Sequence, residues 1–182
     1  PAFRLWEVPG AGHTPGADVV YQLDFLYPRD LGPYYTRPVF DGDYSYNSSD
    51  YVIRAALHHM NEWIENERYS PPPSTYIVVE DGVIKRDRYG NALGGVRLPH
   101  VEVPIASYGT ASPSLWHTHV MRKFGNDQLA ELYPKREQYI SAVKSAIRRV
   151  RTDGYLLAED AEGVLQQAQD FRTPTWEQAQ TR

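Results

Sequence analysis

The sequence predicts an α/β fold, and three observations carry that prediction. Phe3-Arg4-Leu5-Trp6-Glu7-Val8 is rich in aromatic and branched residues and is stopped by Pro9-Gly10, the pattern of a short strand. Apolar residues recur at helical spacing over residues 50–65, 135–152 and 159–169. Between them, Tyr76-Ile77-Val78-Val79 and Gly82-Val83-Ile84-Lys85 flank Asp81-Gly82, a hairpin signature spanning about 76–86.

Taken in order, the first strand feeds the loop Pro9-Gly10-Ala11-Gly12-His13-Thr14-Pro15-Gly16. Residues 17–48 show no sustained period and hold the turn signals Tyr27-Pro28 and Gly32-Pro33, so they read as a structureless cap over a site. The first helix takes Ser49 or Asp50 as its N-cap and turns Val52, Ala55, Ala56, His59, Trp63 and Ile64 to one face. Pro71-Pro72-Pro73 ends that region in an extended conformation. A turn at Tyr89-Gly90-Asn91 leads from the hairpin into an extended run over 94–104. In the penultimate helix Tyr139, Ile140, Val143, Ile147 and Val150 form a stripe, with Gly154 placed as its left-handed stop. Val164, Leu165 and Ala168 form a shorter stripe in the last helix. The organisation expected is a strand and histidine loop in residues 1–30, a loop-rich cap in 31–125, and closing helices and tail in 126–182.

Composition bounds the function. With 182 residues, 41% hydrophobic and 23% charged, the chain is long enough for one sizeable core. A net charge of −4 with scattered Lys and Arg leaves no electrostatic footprint for nucleic acid or an anionic membrane. No apolar run approaches the ~20 residues of a membrane span. The absence of cysteine removes disulfides, thiolate metal sites and a cysteine nucleophile. The chain begins at Pro1 and runs straight into a strand, which reads as a processed, cut or partly observed polypeptide and leaves its compartment open. Fourteen Pro, thirteen Gly and fourteen Tyr point to long irregular stretches that pack around a cleft or against a partner.

His13 is the first residue with chemistry. A strand, a glycine-rich turn and then a histidine present an imidazole over the carboxyl end of a sheet, where it can reach a serine hydroxyl and a carboxylate. The same pattern also describes an ordinary turn with a solvent-facing histidine. Arg97 lies beside Gly94-Gly95, where a guanidinium either binds a substrate carboxylate or pins its own loop to carboxylates and carbonyls. Tyr34, Tyr35, Tyr44, Tyr46 and Trp116 either line a cleft or pack against another part of the protein. His58-His59 and His117-Thr118-His119 raise a metal-dependent alternative, but neither pair has a third ligand at a recognised spacing, so no metal site is assigned. Nothing in the chain calls for a cofactor.

Arg4-Leu5-Trp6-Glu7-Val8-Pro9-Gly10-Ala11-Gly12-His13 resembles the catalytic-histidine segment of the bacterial alpha/beta hydrolase domain-containing proteins, which carry a similar Arg-x-Trp-Glu-Val-x-Gly-x-x-His. The resemblance continues through Tyr51–Leu57 with Asn61-x-Trp63, Pro71-Pro72, the run Gly90–Ala106, Phe124-Gly125, Leu132-Tyr133-Pro134 and Gly154-Tyr155-Leu156-Leu157. It implies the C-terminal part of an α/β-hydrolase fold, a serine hydrolase of the esterase or lipase kind, with His13 as general base and an ester-like small molecule as substrate. Members often carry cysteines near the positions of Asp41–Tyr46 and Val120–Phe124, and this chain has none.

In such enzymes the serine and the acid precede the histidine. No Gly-x-Ser-x-Gly occurs in the sequence, and Gly109-Thr110-Ala111-Ser112 fails the spacing. Asp18 and Asp24 follow His13 rather than precede it. The nucleophile and acid are therefore expected on an upstream part of the protein, which is the partner the resemblance implies. The alternatives are a non-catalytic module on a hydrolase-like body and a metal enzyme built on His58, His59, His117 and His119.

Overall fold

The helical stripes read from the sequence become the main core. In chain order the computed structural model contains a π-helical turn Gln22–Leu26 running into α1 (Tyr27–Leu31), a 3-10 turn Gly32–Tyr34, β1 (Asp43–Tyr44) and α2 (Asp50–Glu65). There follow β2 (Val79–Glu80), β3 (Val83–Ile84), α3 (Pro99–Glu102), β4 (Ala106–Ala111), β5 (His119–Lys123), α4 (Asn126–Leu132), α5 (Arg136–Thr152), α6 (Ala158–Asp170) and α7 (Pro174–Gln180). The structure describes residues 3–12, 21–36, 43–45, 47–66, 69–111 and 119–180.

Helix α5 buries Tyr139, Val143, Ala146, Ile147 and Val150, and α6 answers with Ala161, Val164 and Ala168. Small residues at 146, 161 and 168 let the two helices approach closely, while Trp176 of α7 closes the end of the layer at 3% exposure. The Trp176 ring stacks on Tyr139 with centroids 5.6 Å apart, and its indole N–H donates to the Tyr133 carbonyl at 2.8 Å. Burial pushes the Tyr139 hydroxyl up to about 12, so it stays neutral throughout the physiological range. A second, smaller core of Val101, Ala106, Tyr108 and Met121 lies where β4 and β5 pair.

The sheet has the order β1-β5-β4, all antiparallel, with Asp43 opposite Met121 and Ala106 opposite Lys123. Its register shifts between Tyr108 and Thr110. The hairpin β2–β3 turns at Asp81-Gly82, as read from the sequence, and Lys85 N–H extends it by donating to the Val78 carbonyl.

Several expectations change. The segment 3–8 is extended but joins no multi-residue ladder among the described residues; it makes one parallel bridge, Trp6 to Thr75. Pro71, Pro72 and Pro73 have no N–H with which to prolong that pairing, and at the other end the Glu7 carbonyl turns to Val96 N–H at 2.7 Å. The proline carbonyls are used instead: Pro71 accepts from the Arg4 guanidinium at 3.4 Å, Pro72 from the Trp6 indole at 3.3 Å and Pro73 from the Tyr155 hydroxyl at 2.8 Å. The expected structureless cap is helical from Tyr21 to Tyr34, because Pro28 and Pro33 sit at first-turn positions where a missing N–H is harmless. Pro99 does the same inside the expected extended run, opening α3. Strand β4 carries Ala, Ser, Gly and Thr in place of alternating bulky residues, so it gave no period to read.

His59 ties three segments together. Its Nε2–H donates to the Gly154 carbonyl at 2.6 Å, its Nδ1 accepts from the Tyr69 hydroxyl, and its ring meets Trp6 edge-on at 5.8 Å. His59→Ala leaves a half-buried carbonyl and hydroxyl without their partner and opens space beneath Trp6. It should cost about 2–4 kcal/mol in urea denaturation, while Tyr69→Phe should cost only about 1 kcal/mol.

His100 of α3 stacks on Tyr51 at 6.1 Å and bonds the Gln167 amide oxygen through Nε2 at 2.9 Å. Its Nδ1 is buried without a partner among the described residues, and desolvation lowers its pKa below the ordinary 6.5, partly offset by the Gln167 bond. As pH falls through 6.5 the unfolded chain takes the proton before the folded one does, so this stabilisation is present above that pH and is lost as pH falls through the lower folded value. His100→Gln should therefore reduce the loss of denaturation free energy between neutral and mildly acidic pH.

Candidate active site

The turn that leads to His13 is held from four directions. Gly10 adopts φ +67°, and a Cβ there would lie 2.6 Å from the Tyr108 Cβ, so only glycine fits against β4. Gly95, at φ +66°, brings its backbone against Glu7 and Pro9; a Cβ would stand 2.5 Å from the Glu7 carbonyl oxygen. Asn47, 2% exposed, donates its Nδ2–H to the Pro9 carbonyl at 2.7 Å. The Ser49 hydroxyl donates to the Gly12 carbonyl at 3.4 Å, and Gly12 bridges to Ser48 in parallel fashion. Ala11 N–H closes the turn onto the Val8 carbonyl at 3.4 Å.

The supports are themselves fixed. Tyr108 N–H donates to Asn91 Oδ1 at 2.7 Å, and Asn91 Nδ2–H donates to the Ala106 carbonyl at 3.2 Å, with Asn91 fully buried. Asp87 Oδ1 accepts from both Tyr89 N–H and Asn91 N–H at 2.9 Å. The described backbone thus reaches Gly12 with a set direction, and the chain adjoining it is His13. His13 itself lies outside the described residues.

Arg97 forms the hub of the loop behind this turn. Its guanidinium donates to Asp87 Oδ2 at 2.8 Å, to Glu102 Oε2 at 3.0 Å, to the Val101 carbonyl at 3.2 Å and to the Ala92 carbonyl. Glu102 also accepts from Arg149 of α5 at 3.0 Å, which links the loop to the helical layer. Of the two arrangements open for Arg97, the geometry is that of a pin on its own loop.

The other sequence-derived residues are dispersed. Tyr44 stands in β1 opposite Val120, with its side chain outside the described residues, as are Tyr46 and Trp116. Tyr34 is almost fully exposed in the 3-10 turn, and Tyr35 packs on Tyr27 with centroids 6.0 Å apart. Asp24 lies in the π-helical turn, while Asp18 and His117 lie outside the described residues. His58 is exposed and His59 has both ring nitrogens bonded; His119 begins β5. Among the described residues no group of three or more His, Asp or Glu could hold a metal. Among them, too, no helix is long and apolar enough to cross a membrane.

Sequence reasoning missed Asn47 and Asn91. Both are buried amides that bond backbone, and an isolated asparagine in a loop looks the same whether it is solvated or buried.

A family model described as an alpha/beta hydrolase domain matches residues 1–166. The chain belongs to that family. The match spans the held turn, α2, the hairpin, β4, β5 and α5, so the elements that fix Gly12 are part of the alpha/beta hydrolase domain itself. No curated protein and no solved structure matches the chain.

Two substitutions test the cradle. Gly10→Ala should destabilise the domain by about 2 kcal/mol or more, since it adds left-handed strain to a backbone-level clash. Asn47→Asp should lower the melting temperature more than Asn47→Ala, because the carboxylate sets a charged acceptor against the Pro9 carbonyl at a buried position.

Proposed function

We propose that this chain supplies the general base of a serine-dependent ester hydrolase, and that the nucleophile and the acid reside on polypeptide outside these 182 residues. The observation that carries the reading is the held Pro9–Gly12 turn ending at a histidine, in a chain that belongs to the alpha/beta hydrolase domain family. A general base must be delivered to a fixed point within hydrogen-bond reach of its hydroxyl, and a backbone held as far as Gly12 supports that role better than a free loop would. The sequence holds no Gly-x-Ser-x-Gly, so the hydroxyl has to come from elsewhere.

In this mechanism the His13 imidazole takes the serine proton as the oxygen attacks an ester carbonyl. It returns that proton to the departing alcohol, then removes a proton from water in deacylation. A carboxylate on the same partner polypeptide fixes the His13 tautomer. Arg97 and Asn47 act as supports of the turn, with no contact to substrate. Tyr44, Tyr46 and Trp116 remain the candidate cleft residues.

Fluorophosphonate labelling of the native preparation, followed by denaturing mass spectrometry of every polypeptide, tests the proposal. Label should appear on a serine outside residues 1–182, and His13→Ala should lower kcat for an aryl ester on the order of 10⁴-fold or more with little change in KM. The isolated 182-residue chain should show no turnover. Turnover by that chain alone, or absence of label from every polypeptide, would sink the reading; the second result would leave a non-catalytic module.

A further inference from the structure

A cavity of about 360 Å³ opens between α3, β4 and the facing helices α5 and α6. That volume suits a small organic molecule. Its floor is made of buried side chains, Pro99, Tyr108, Val143, Val164 and Ala168. Tyr139 and Phe171, with ring centroids 5.6 Å apart, add an aromatic wall. The cavity lies one side chain from the held turn, because Tyr108 in its floor is the residue against which Gly10 packs.

Polar groups are few and differ from the floor in kind. Gln167 and Asp170 of α6 are exposed and line the cavity together with His100 of α3. Of the described residues in the wall, Asp170 alone is charged. One of its carboxylate oxygens accepts from the Gln166 amide at 2.9 Å, which leaves the second free to accept. Arg136 and Arg172 stand close in the structure or the sequence, but both donate to the Gln169 carbonyl and neither lines the cavity. His100 supplies a further acceptor. Its Nε2–H donates to Gln167 Oε1 at 2.9 Å, so the ring is the neutral tautomer whose Nδ1 carries a lone pair. That nitrogen is buried and has no partner among the described residues.

We propose that this cavity binds a small arylalkyl primary amine, with its ring against Tyr139 and Phe171 and its ammonium beside Asp170 and His100. An ammonium group carries three donors and no acceptor, which answers a carboxylate and an imidazole lone pair together. An aryl body fills the apolar floor and pairs edge-on or offset with the aromatic wall. A carboxylate ligand of the same shape would face Asp170 with no cation in the described wall to offset the repulsion. A plain hydrocarbon would leave the His100 acceptor without a donor. The site is independent of the proposed hydrolysis, since it uses neither His13 nor a serine.

Methyl-resolved NMR of the native preparation, titrated with phenethylamine, phenethyl alcohol and hydrocinnamate, tests the proposal. Phenethylamine should shift the Val143 and Val164 methyl signals saturably and bind roughly tenfold more tightly than the alcohol, with hydrocinnamate weaker still. Asp170→Asn, an isosteric change at an exposed position, should remove the preference for the amine and leave the affinity for the alcohol as it was. Unshifted methyl signals elsewhere in that variant establish that it is folded. Equal affinity for amine and alcohol in the unaltered protein overturns the proposal, as does a preference that survives Asp170→Asn. Shifts confined to other methyl groups, or no saturation by about 10 mM amine, overturn it as well.

Discussion

The constraint on which the molecule depends is the wedging of Leu5–Pro9 between Thr75 and the Gly95-Val96 backbone. Three backbone hydrogen bonds and a glycine with no room for a Cβ set the height of this segment. Everything that positions the turn follows from that height. Gly10 meets Tyr108 because Pro9 is already seated, Asn47 reaches the Pro9 carbonyl, and Ser49 reaches Gly12. The residues doing this come from positions 47–49, 75, 95–96 and 108, so the turn is fixed by tertiary contacts spread over much of the chain rather than by its own local bonding.

Electrostatics serves the same geometry. Arg97 spends its donors on Asp87, Glu102 and two carbonyls, and Glu102 passes the connection to Arg149 on α5. Arg97 and Asp87 are each 17% exposed, where a paired guanidinium is screened less than on an open surface. The loop from Asp87 to Glu102 is therefore joined to the helical layer while Gly94 and Gly95 lie against Tyr76, Glu7 and Pro9. Charge pairing and packing meet in this loop.

Legibility in the sequence tracks local periodicity. Helices α2, α5 and α6 were readable to within a residue or two because their stripes are long and their ends carry turn residues. The hairpin was readable from Asp81-Gly82. Strands β4 and β5 were not, since small polar residues in one of them leave no alternation and their pairing is stabilised by a buried Asn91 that no pattern announces. The helical turns at 22–34 and 99–102 were hidden by prolines that look like breakers but occupy first-turn positions. At the candidate site, the family was legible from motifs. The supports of the turn were not, because Asn47 and Ser49 approach it from more than thirty residues away.

Consider last the three consecutive proline carbonyls that accept from Arg4, Trp6 and Tyr155. A triple proline is already stiff and extended in the unfolded chain, so ordering it on folding removes little conformational freedom. Its acceptors stand pre-arrayed, like a short comb, for donors 66 or more residues away on either side in the sequence. Contacts of such separation normally form slowly, since a long loop must close before any bond compensates. A rigid comb lowers that barrier at one end of each closure, which makes residues 71–73 a natural gathering point for the chain's termini during folding.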